Sequence, residues 1–346
     1  MKKINVMVTG AGSGVGQSIV KALKISKLNL NIISADINEL NAGLYRTKKS
    51  LIIPKIEKKN SLQLIIGILK KNKIHILFIG SEIEIDFFSN HRDFIYSRTG
   101  TDISVTNANV VKIANDKFQT IKFFKKHKIK YPKSFIVDSK KELNTLYSKM
   151  KKPFILKSRF GTSARSVYLI KDKKDFGNKV PLVEKPMIQE YLGKKNSFFD
   201  EEFTCSIFTD KKKNLIGPFT SQRILKHGTS WILKTFRNKV LKDLVIKISR
   251  KINNVGTINI QFKKHKGNFI PFEINSRFSG TTCIRAAMGF NEPELYIKSF
   301  YLKKDIVNKK ILDGFVFRYV EEIFLKSNKI SDLKKNFSKG RIKKWF

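Results

Sequence analysis

The chain has little cysteine and no long apolar run. Its 346 residues include two cysteines, Cys205 and Cys283, which are too few for a disulfide framework and lack the spacing of a metal site. No apolar stretch approaches the length of a membrane span, and the first residues lead directly into a strand and a glycine-rich turn. These absences predict a protein of the cytoplasm with no membrane span.

Acidic residues are also scarce. The chain has 28 Asp and Glu against 70 Lys and Arg, which gives a formal net charge of +42. Such a charge often indicates a polyanionic partner. Here the excess is mostly lysine spread along the whole chain, without a compact basic arm, zinc ligands or an aromatic RNA-binding signature. We therefore expect no specific nucleic acid partner, and we interpret the basic segment from Lys334 to Phe346 as a solvated tail.

The first hundred residues show strands and helices in alternation. A strand over Ile4 to Val8 is followed by a loop with four glycines and then by a helical pattern. The next strand ends at Asp36, about where dinucleotide-binding folds place a ribose-binding acid. Further strands near residues 51 and 74 predict a doubly wound α/β unit of roughly 110 residues.

This opening has three interpretations. One is an NAD(P)-dependent dehydrogenase, although Tyr147 and Lys151 lie in a polar stretch that does not suit a catalytic Tyr-x-x-x-Lys pair. Another is that the glycines only permit a tight turn between strand and helix. The third is that the helix N-terminus, near Gly12 and Ser13, holds the anionic part of a different substrate.

Oxygen-bearing side chains alternate along a hairpin in the second half of the chain. Glu273 and Asn275 share one face of a strand, and a turn near Gly267 brings Gln261 roughly opposite them. A carboxylate and two amides are costly to bury unless they are paired or bind a cation, and Mg²⁺ is the natural candidate. Arg277 can then donate to a phosphate. An amphipathic hairpin with one wet face is the alternative.

A lysine and a small-residue loop form another motif. Lys157 ends a predicted strand, and the loop from Gly161 to Ser166 leads into the next strand. A P-loop would lead into a helix and carry Gly-x-x-x-x-Gly-Lys-Ser/Thr, which is absent. The segment instead predicts a lysine beside a flap that folds over phosphates, with an ordinary hairpin as the alternative.

Taken in order, the motifs resemble the ATP-grasp superfamily, and most closely its carbamoyl-phosphate-synthase-like branch. The likeness covers nearly the whole chain and rests on Asp116-Lys117, Phe154 to Lys157 with its loop, Gln189 to Leu192, Glu202-Phe203-Thr204, Gln261, and Glu273 to Arg277. It implies an α/β fold, with α+β character in the C-terminal part. The implied parts are a Rossmann-like pre-ATP-grasp domain (1–110), an ATP-grasp N-terminal subdomain with a phosphate-covering loop (111–190), a C-terminal subdomain with the Mg site (191–330) and a basic tail (331–346).

The resemblance also implies roles for individual residues. Phosphates, adenine and ribose of ATP would be bound by Lys117, Lys157, Gly161, Ser163, Glu190, Tyr191, Leu192 and Glu202. Glu201 is the alternative to Glu202, because the insertion Lys194 to Asp200 breaks the usual spacing. Gln261, Glu273 and Asn275 would hold Mg²⁺, with Mn²⁺ as the alternative metal. Arg277 and Lys157 would stabilise the transferring phosphoryl group.

The implied activity is an ATP- and Mg-dependent ligase that activates a carboxylate as an acyl phosphate and joins it to an amine or similar nucleophile. The alternatives are a kinase acting on a small acid or amide, the dehydrogenase, and a lysine-rich binding protein. For Arg285 two placements are open, on the substrate carboxylate or on a helix surface, and Gly12 and Ser13 are further substrate candidates. The expected partners are small-molecule carboxylate and amine substrates, with a homodimer left open.

Overall fold

The computed structural model describes residues 3–161, 166–193, 201–307, 309–326, 329–337 and 340–342. The predicted phosphate contact at Ser163 and the insertion from Lys194 to Asp200 lie outside these residues. Within the described part, no helix is long and apolar enough to cross a membrane.

The N-terminal part is a parallel sheet of five strands in the order β3-β2-β1-β4-β5. The strands are β1 (Ile4–Val8), β2 (Leu30–Asp36), β3 (Lys49–Ile52), β4 (Ile76–Phe78) and β5 (Asp102–Ile103), and the helices between them are α1 (Gly14–Lys24), α2 (Ser61–Lys71) and α3 (Ile83–Thr99). The strand order reverses between β1 and β4, so the loops after these two strands open a crevice at the carboxyl edge of the sheet.

Two helices lead from this sheet into the next part of the chain. They are α4 (Ala108–Asn115) and α5 (Lys117–Lys126), and the side chain of Asp116 accepts hydrogen bonds from the backbone N–H groups of Phe118 and Gln119 at the start of α5. Asp116 is therefore the N-cap of α5. It also fixes Lys117 as the first residue of α5.

The second sheet is antiparallel, with the order β6-β9-β7-β8. Its strands are β6 (Ser134–Ile136), β7 (Phe154–Ser158), β8 (Val167–Ile170) and β9 (Pro186–Glu190), and it is joined by α6 (Leu143–Lys149) and α7 (Lys173–Lys179). Phe154 and Phe176 pack edge to face in its core, with ring centroids 5.3 Å apart.

The third sheet has six strands in the order β14-β13-β10-β11-β12-β15. They are β10 (Glu202–Thr209), β11 (Leu215–Lys226), β12 (Thr229–Thr235), β13 (Gly256–His265), β14 (Asn268–Asn275) and β15 (Phe315–Phe317). Helix α8 (Lys239–Ile252) packs against it through Leu241, Val245 and Ile248. Two short helices follow β14, namely α9 (Thr282–Ala287) and α10 (Glu292–Tyr296).

The described part of the basic tail is not wholly solvated, so that prediction is wrong there. A 3-10 helix spans Ile330–Asn336, and β17 (Arg341–Ile342) pairs with β16 (Ile323–Phe324). The ring of Phe337 packs on Tyr45, with centroids 5.6 Å apart. Tyr45 ends the 3-10 helix Ala42–Tyr45, so the tail packs against the N-terminal part of the chain.

The first and third sheets share one apolar core. Val6 and Ile19 of the first part belong to the same buried cluster as Phe219 and Tyr296. Polar contacts join the same surfaces, because Ser18 Oγ accepts from the Cys283 backbone N–H at 2.8 Å and donates to the Gly280 carbonyl at 3.1 Å. This packing holds the glycine-rich loop before α1 close to the segment that follows the predicted metal motif.

Candidate functional site

The hairpin predicted from alternation is formed by β13 and β14. Gln261 stands directly opposite Glu273, and Asn259 stands opposite Asn275. The Asn275 Nδ2 donates to Glu273 Oε1 at 2.9 Å. The predicted convergence of three oxygen-bearing side chains is therefore confirmed, because an antiparallel pairing with period-2 alternation leaves facing residues on one side of the sheet.

A cavity of about 320 Å³ lies between the second and third sheets. Its wall contains most of the residues that the resemblance assigned to the nucleotide, together with two of the predicted metal ligands. These are Lys117, Lys157, Gly161, Glu190, Tyr191, Leu192, Glu202, Gln261 and Glu273. They come from α5, β7, the end of β9, β10, β13 and β14, so only the tertiary structure brings them together.

Two lysines point into this cavity. Lys117 Nζ donates to the Gly161 carbonyl at 2.6 Å, at the start of the predicted phosphate-covering loop. Lys157 is buried, and its Nζ donates to Gln189 Oε1 at 2.8 Å. Burial lowers the pKa of Lys157 to about 8, with the Glu273 carboxylate opposing that shift and the Lys117 cation adding to it. Lys157 can thus gain a proton when an anion binds beside it.

We expect the affinity for a nucleotide to fall as the pH rises above about 8, approaching about tenfold per pH unit, because neutral Lys157 must take up a proton to pair with a phosphate. Below that pH the ammonium is already formed and the affinity should level off. Calorimetric titration of a non-hydrolysable ATP analogue between pH 7 and 9.5 measures the slope. The Lys157→Arg variant keeps its charge throughout and should show no such fall. Equal slopes in the two proteins would contradict the assignment.

The predicted ribose ligand Glu202 is held by two cations. Its Oε1 accepts from Arg223 Nε at 3.0 Å, and its Oε2 lies 3.0 Å from Lys263 Nζ. Burial alone would raise the pKa of Glu202, but Arg223 and Lys263 hold it below its usual range. Arg223 is buried in β11 and lines the cavity, whereas Lys226 at the end of the same strand is exposed.

The cavity of about 320 Å³ is called the nucleotide cavity below, after the role that the resemblance assigns to its residues. A larger cleft of about 790 Å³ adjoins it and reaches the first sheet. One side carries Glu273, Asn275 and Arg277, and the other side is formed by the α1 N-terminus at Ser13 to Val15 and by the loop after β4. Arg277 Nη2 donates to Glu82 Oε2 of that loop at 2.8 Å. Glu82 and Arg318, which also lines the cleft, were not found from sequence because no local motif marks them.

Arg285 takes neither of the two expected placements. Its side chain is 1% exposed and donates from Nε to Glu292 Oε2 at 2.7 Å, and its Nη atoms donate to the hydroxyls of Ser279, Thr281 and Thr282. Glu292 is fully buried. Arg285 lines neither of the two cavities, so it supports the cleft wall and does not reach the cleft.

Gly12 lies outside the cleft as well. Its backbone N–H donates to Asp36 Oδ2 at 2.7 Å, while Asp36 Oδ1 accepts from the Ile37 backbone and from Asn41 Nδ2. A Cβ on Gly12 would lie 2.3 Å from Asn41 Cγ. Both oxygens of Asp36 are therefore engaged and the loop is covered, whereas Ser13 lines the cleft and caps α1 by accepting from the Gly16 N–H at 2.9 Å.

The donor set suits a hard divalent cation at Glu273 and Asn275. Carboxylate and amide oxygens are ligands that Mg²⁺ accepts, and Mg²⁺ usually takes one or two carboxylates and keeps positions for water and phosphate oxygens. Within the described residues no group of three His, Cys, Asp or Glu side chains clusters in a way that could hold a metal. Gln261 differs from the other two, because its Oε1 already accepts from Arg223 Nη2 at 2.9 Å.

Two family models match the chain in the order of its parts. A model described as PylC-like, N-terminal domain, matches residues 6–103, and a model described as ATP-grasp in the biosynthetic pathway with Ter operon matches residues 187–323. The chain contains an ATP-grasp region over residues 187–323. Its fold is the α/β arrangement, with antiparallel sheets in the later parts, that the motif order implied.

Solved structures with similar folds agree with this assignment. N5-carboxyaminoimidazole synthetase from Staphylococcus aureus, complexed with ADP, is 14% identical with a TM-score of 0.69, covering 88% of this chain and 79% of that chain. The biotin carboxylase domain dimer of Hydrogenobacter thermophilus 2-oxoglutarate carboxylase, in complex with MgADP and bicarbonate, is 12% identical with a TM-score of 0.70, covering 90% and 73%. At these identities the likeness shows the fold. The search of curated protein sequences finds no match.

Proposed function

We propose that this ATP-grasp protein is an ATP- and Mg²⁺-dependent ligase that activates a carboxylate as an acyl phosphate and joins it to an amine. One observation carries the proposal: the nucleotide cavity and the larger cleft meet at shared residues that include Gly161, Arg223, Gln261 and Glu273. A γ-phosphate reaching out of the first cavity would face an acceptor in the second. The solved neighbours described as complexed with ADP or MgADP support the nucleotide part.

Different residues of the cavity would bind the different parts of ATP. Lys117 and Lys157 place positive charge beside the phosphates, and Glu202 presents a carboxylate to the ribose hydroxyls. Backbone groups at the end of β9, from Glu190 to Leu192, would meet the adenine. Bound Mg²⁺, or Mn²⁺ as the alternative, would be held by Glu273 and Asn275 and would neutralise phosphate charge.

The chemical steps use the cleft. A carboxylate oxygen of the substrate attacks the γ-phosphorus and ADP leaves; the amine nitrogen then attacks the acyl carbon, phosphate leaves and the nitrogen loses a proton. Arg277, fixed by its pair with Glu82, supplies donors to the transferring phosphoryl group. Phe160 and Gly161 line the cleft and would help to exclude water from the acyl phosphate. Ser13 and Arg318 lie farther along the cleft and suit an anionic group of the substrate.

The cleft favours a ligase over the alternatives. It extends from the shared residues Gln261 and Glu273 to Ser13 and Arg318, so acceptor groups can bind on the side away from the nucleotide. A dehydrogenase would need the glycine loop and Asp36 for its dinucleotide, but Asp36 is engaged by Gly12, Ile37 and Asn41. We further propose that the substrates are small molecules and that the protein has no specific nucleic acid partner. The two free cysteines suit a location in the cytoplasm. A homodimer is proposed because one of the solved neighbours is described as a dimer.

The test measures which nucleotides the whole chain binds and which substrates make it release ADP from ATP. Calorimetry should show binding of a non-hydrolysable ATP analogue that strengthens with Mg²⁺, and no binding of NADH or NADPH. Release of ADP from ATP is then followed across a panel of small carboxylates with and without an amine such as hydroxylamine. ADP release that requires both acid and amine supports ligation. ADP release with the acid alone would favour the kinase, and NADH binding without ATP binding would refute the proposal.

A further inference from the structure

The side chain of Arg223 lies where the two cavities meet. It lines both the nucleotide cavity and the substrate cleft, as Gln261 and Glu273 do. Its neighbours are fixed: β11 lies between β10, which carries Glu202, and β12, which carries Ser230. Arg223 is thus a buried cation at the point where the phosphoryl group would pass from nucleotide to acceptor.

The contacts of Arg223 set its direction. Nε and Nη2 donate to Glu202 Oε1, Nη1 lies 3.3 Å from Ser230 Oγ, and Nη2 also donates to Gln261 Oε1 at 2.9 Å. Glu202 and Gln261 therefore hold the guanidinium from two strands. An arginine held in this way loses little conformational freedom when it binds a phosphate, since its planar fork is already oriented.

Charge argues against a metal ion on Gln261. Of the three predicted metal ligands only Glu273 carries a charge, and the oxygen of Gln261 already accepts from a cation. A divalent ion on that oxygen would stand close to the guanidinium and be repelled by it. Glu273 differs from Gln261, because its side chain is a charged carboxylate whose Oε1 accepts from the neutral amide of Asn275 at 2.9 Å.

We propose that Gln261 is not a metal ligand but the acceptor that aims Arg223 at the transferred phosphoryl group, and that the site holds one metal ion with Arg223 as the second positive centre. This inference rests on the proposed function. Arg223 is then a catalytic residue, supplied from within the chain, that acts together with Arg277 on charge developing at the γ-phosphate. Gln261 is a positioning residue.

Counting the bound metal ions tests whether Gln261 is a metal ligand. Mn²⁺ bound per chain is measured by electron paramagnetic resonance with a saturating non-hydrolysable ATP analogue. We expect one Mn²⁺ in the parent chain and one in Gln261→Ala, with Mn²⁺ affinity lowered in Glu273→Ala. Two Mn²⁺ in the parent, or an equal loss of affinity in Gln261→Ala and Glu273→Ala, would overturn the inference while leaving the ligase proposal intact. If the parent binds no ATP analogue, the proposed function itself fails.

Steady-state kinetics test whether Arg223 acts on the transferred phosphoryl group. Arg223→Gln should lower kcat about 10²–10³-fold, with the KM for ATP changed by less than about threefold and Mn²⁺ still bound, since the lost contact forms in the transition state. Glu202 keeps Lys263 as a partner in this variant, which favours folding. Arg223→Lys, which retains charge but not the fork, should recover part of kcat. Lys226→Gln removes an exposed cation from the same strand and is the control. A kcat like that of the control would overturn the assignment.

Discussion

Replacing Glu273 by alanine is expected to lower turnover about 10³-fold, the largest effect on activity that we predict. Glu273 is the single carboxylate among the three predicted metal ligands, and it lines both the nucleotide cavity and the cleft. Its loss leaves only amide oxygens at the metal position and removes a charge that supports protonated Lys157. Initial rates of ADP formation at saturating Mg²⁺ and ATP measure the effect.

Two controls separate this effect from misfolding. Glu57→Ala removes an exposed carboxylate from the first part of the chain and should leave the rate unchanged. The far-ultraviolet circular dichroism spectrum and the unfolding temperature of Glu273→Ala should stay near those of the parent. A Glu273→Ala protein that is folded and turns over at the parent rate would show that the hairpin is only an amphipathic surface, as the sequence alternative allowed.

Replacing Arg285 by alanine is expected to lower the free energy of unfolding by about 3–5 kcal/mol, because it leaves a fully buried carboxylate without its cation. Glu292 also accepts from Ser206 Oγ, so the network joins α9 and α10 to β10. Urea denaturation followed by fluorescence measures the change. The exposed Arg250→Ala in α8 removes the same charge and should change the free energy by no more than about 0.5 kcal/mol.

This prediction also separates the structural role of Arg285 from the role in substrate binding that the sequence left open. If Arg285→Ala unfolds at the same urea concentration as the parent but raises the KM for the carboxylate, the residue contacts substrate and its buried placement is misleading. If stability falls and the KM of the folded fraction is unchanged, the buried pair with Glu292 accounts for the residue.

The sequence could predict those parts of the site in which the regular geometry of a strand, a hairpin or a helix end fixes the direction of a side chain. Glu273 and Asn275 are two residues apart on one strand, and the turn at Gly267 sets where Gln261 falls on the next. The cap at Asp116 places Lys117, and the strand ending at Ser158 places Lys157. In each case the period of the backbone decides which way a side chain points.

The residues that sequence missed or misplaced depend on contacts between distant segments. Glu82 comes to Arg277 from a loop 195 residues earlier, and Arg223 reaches Gln261 from a strand 38 residues away. Asp36 looked like a ribose ligand by spacing alone, yet Asn41 and Gly12 take its oxygens. Arg285 was placed by pattern on a surface or a substrate, but packing between α9 and α10 buried it.

The sequence by itself determined the resemblance to the ATP-grasp superfamily, because the order of its motifs and the period of its strands are properties of the chain alone. The tertiary structure decided which cations face the reacting groups, since side chains meet there only after three sheets have packed. Burial then changed the protonation of one of them, because desolvation lowers the pKa of Lys157. The core shared by the first and third sheets brings the glycine-rich loop to the cleft. Burial and long-range distance are products of the folded chain, and no local pattern contains them.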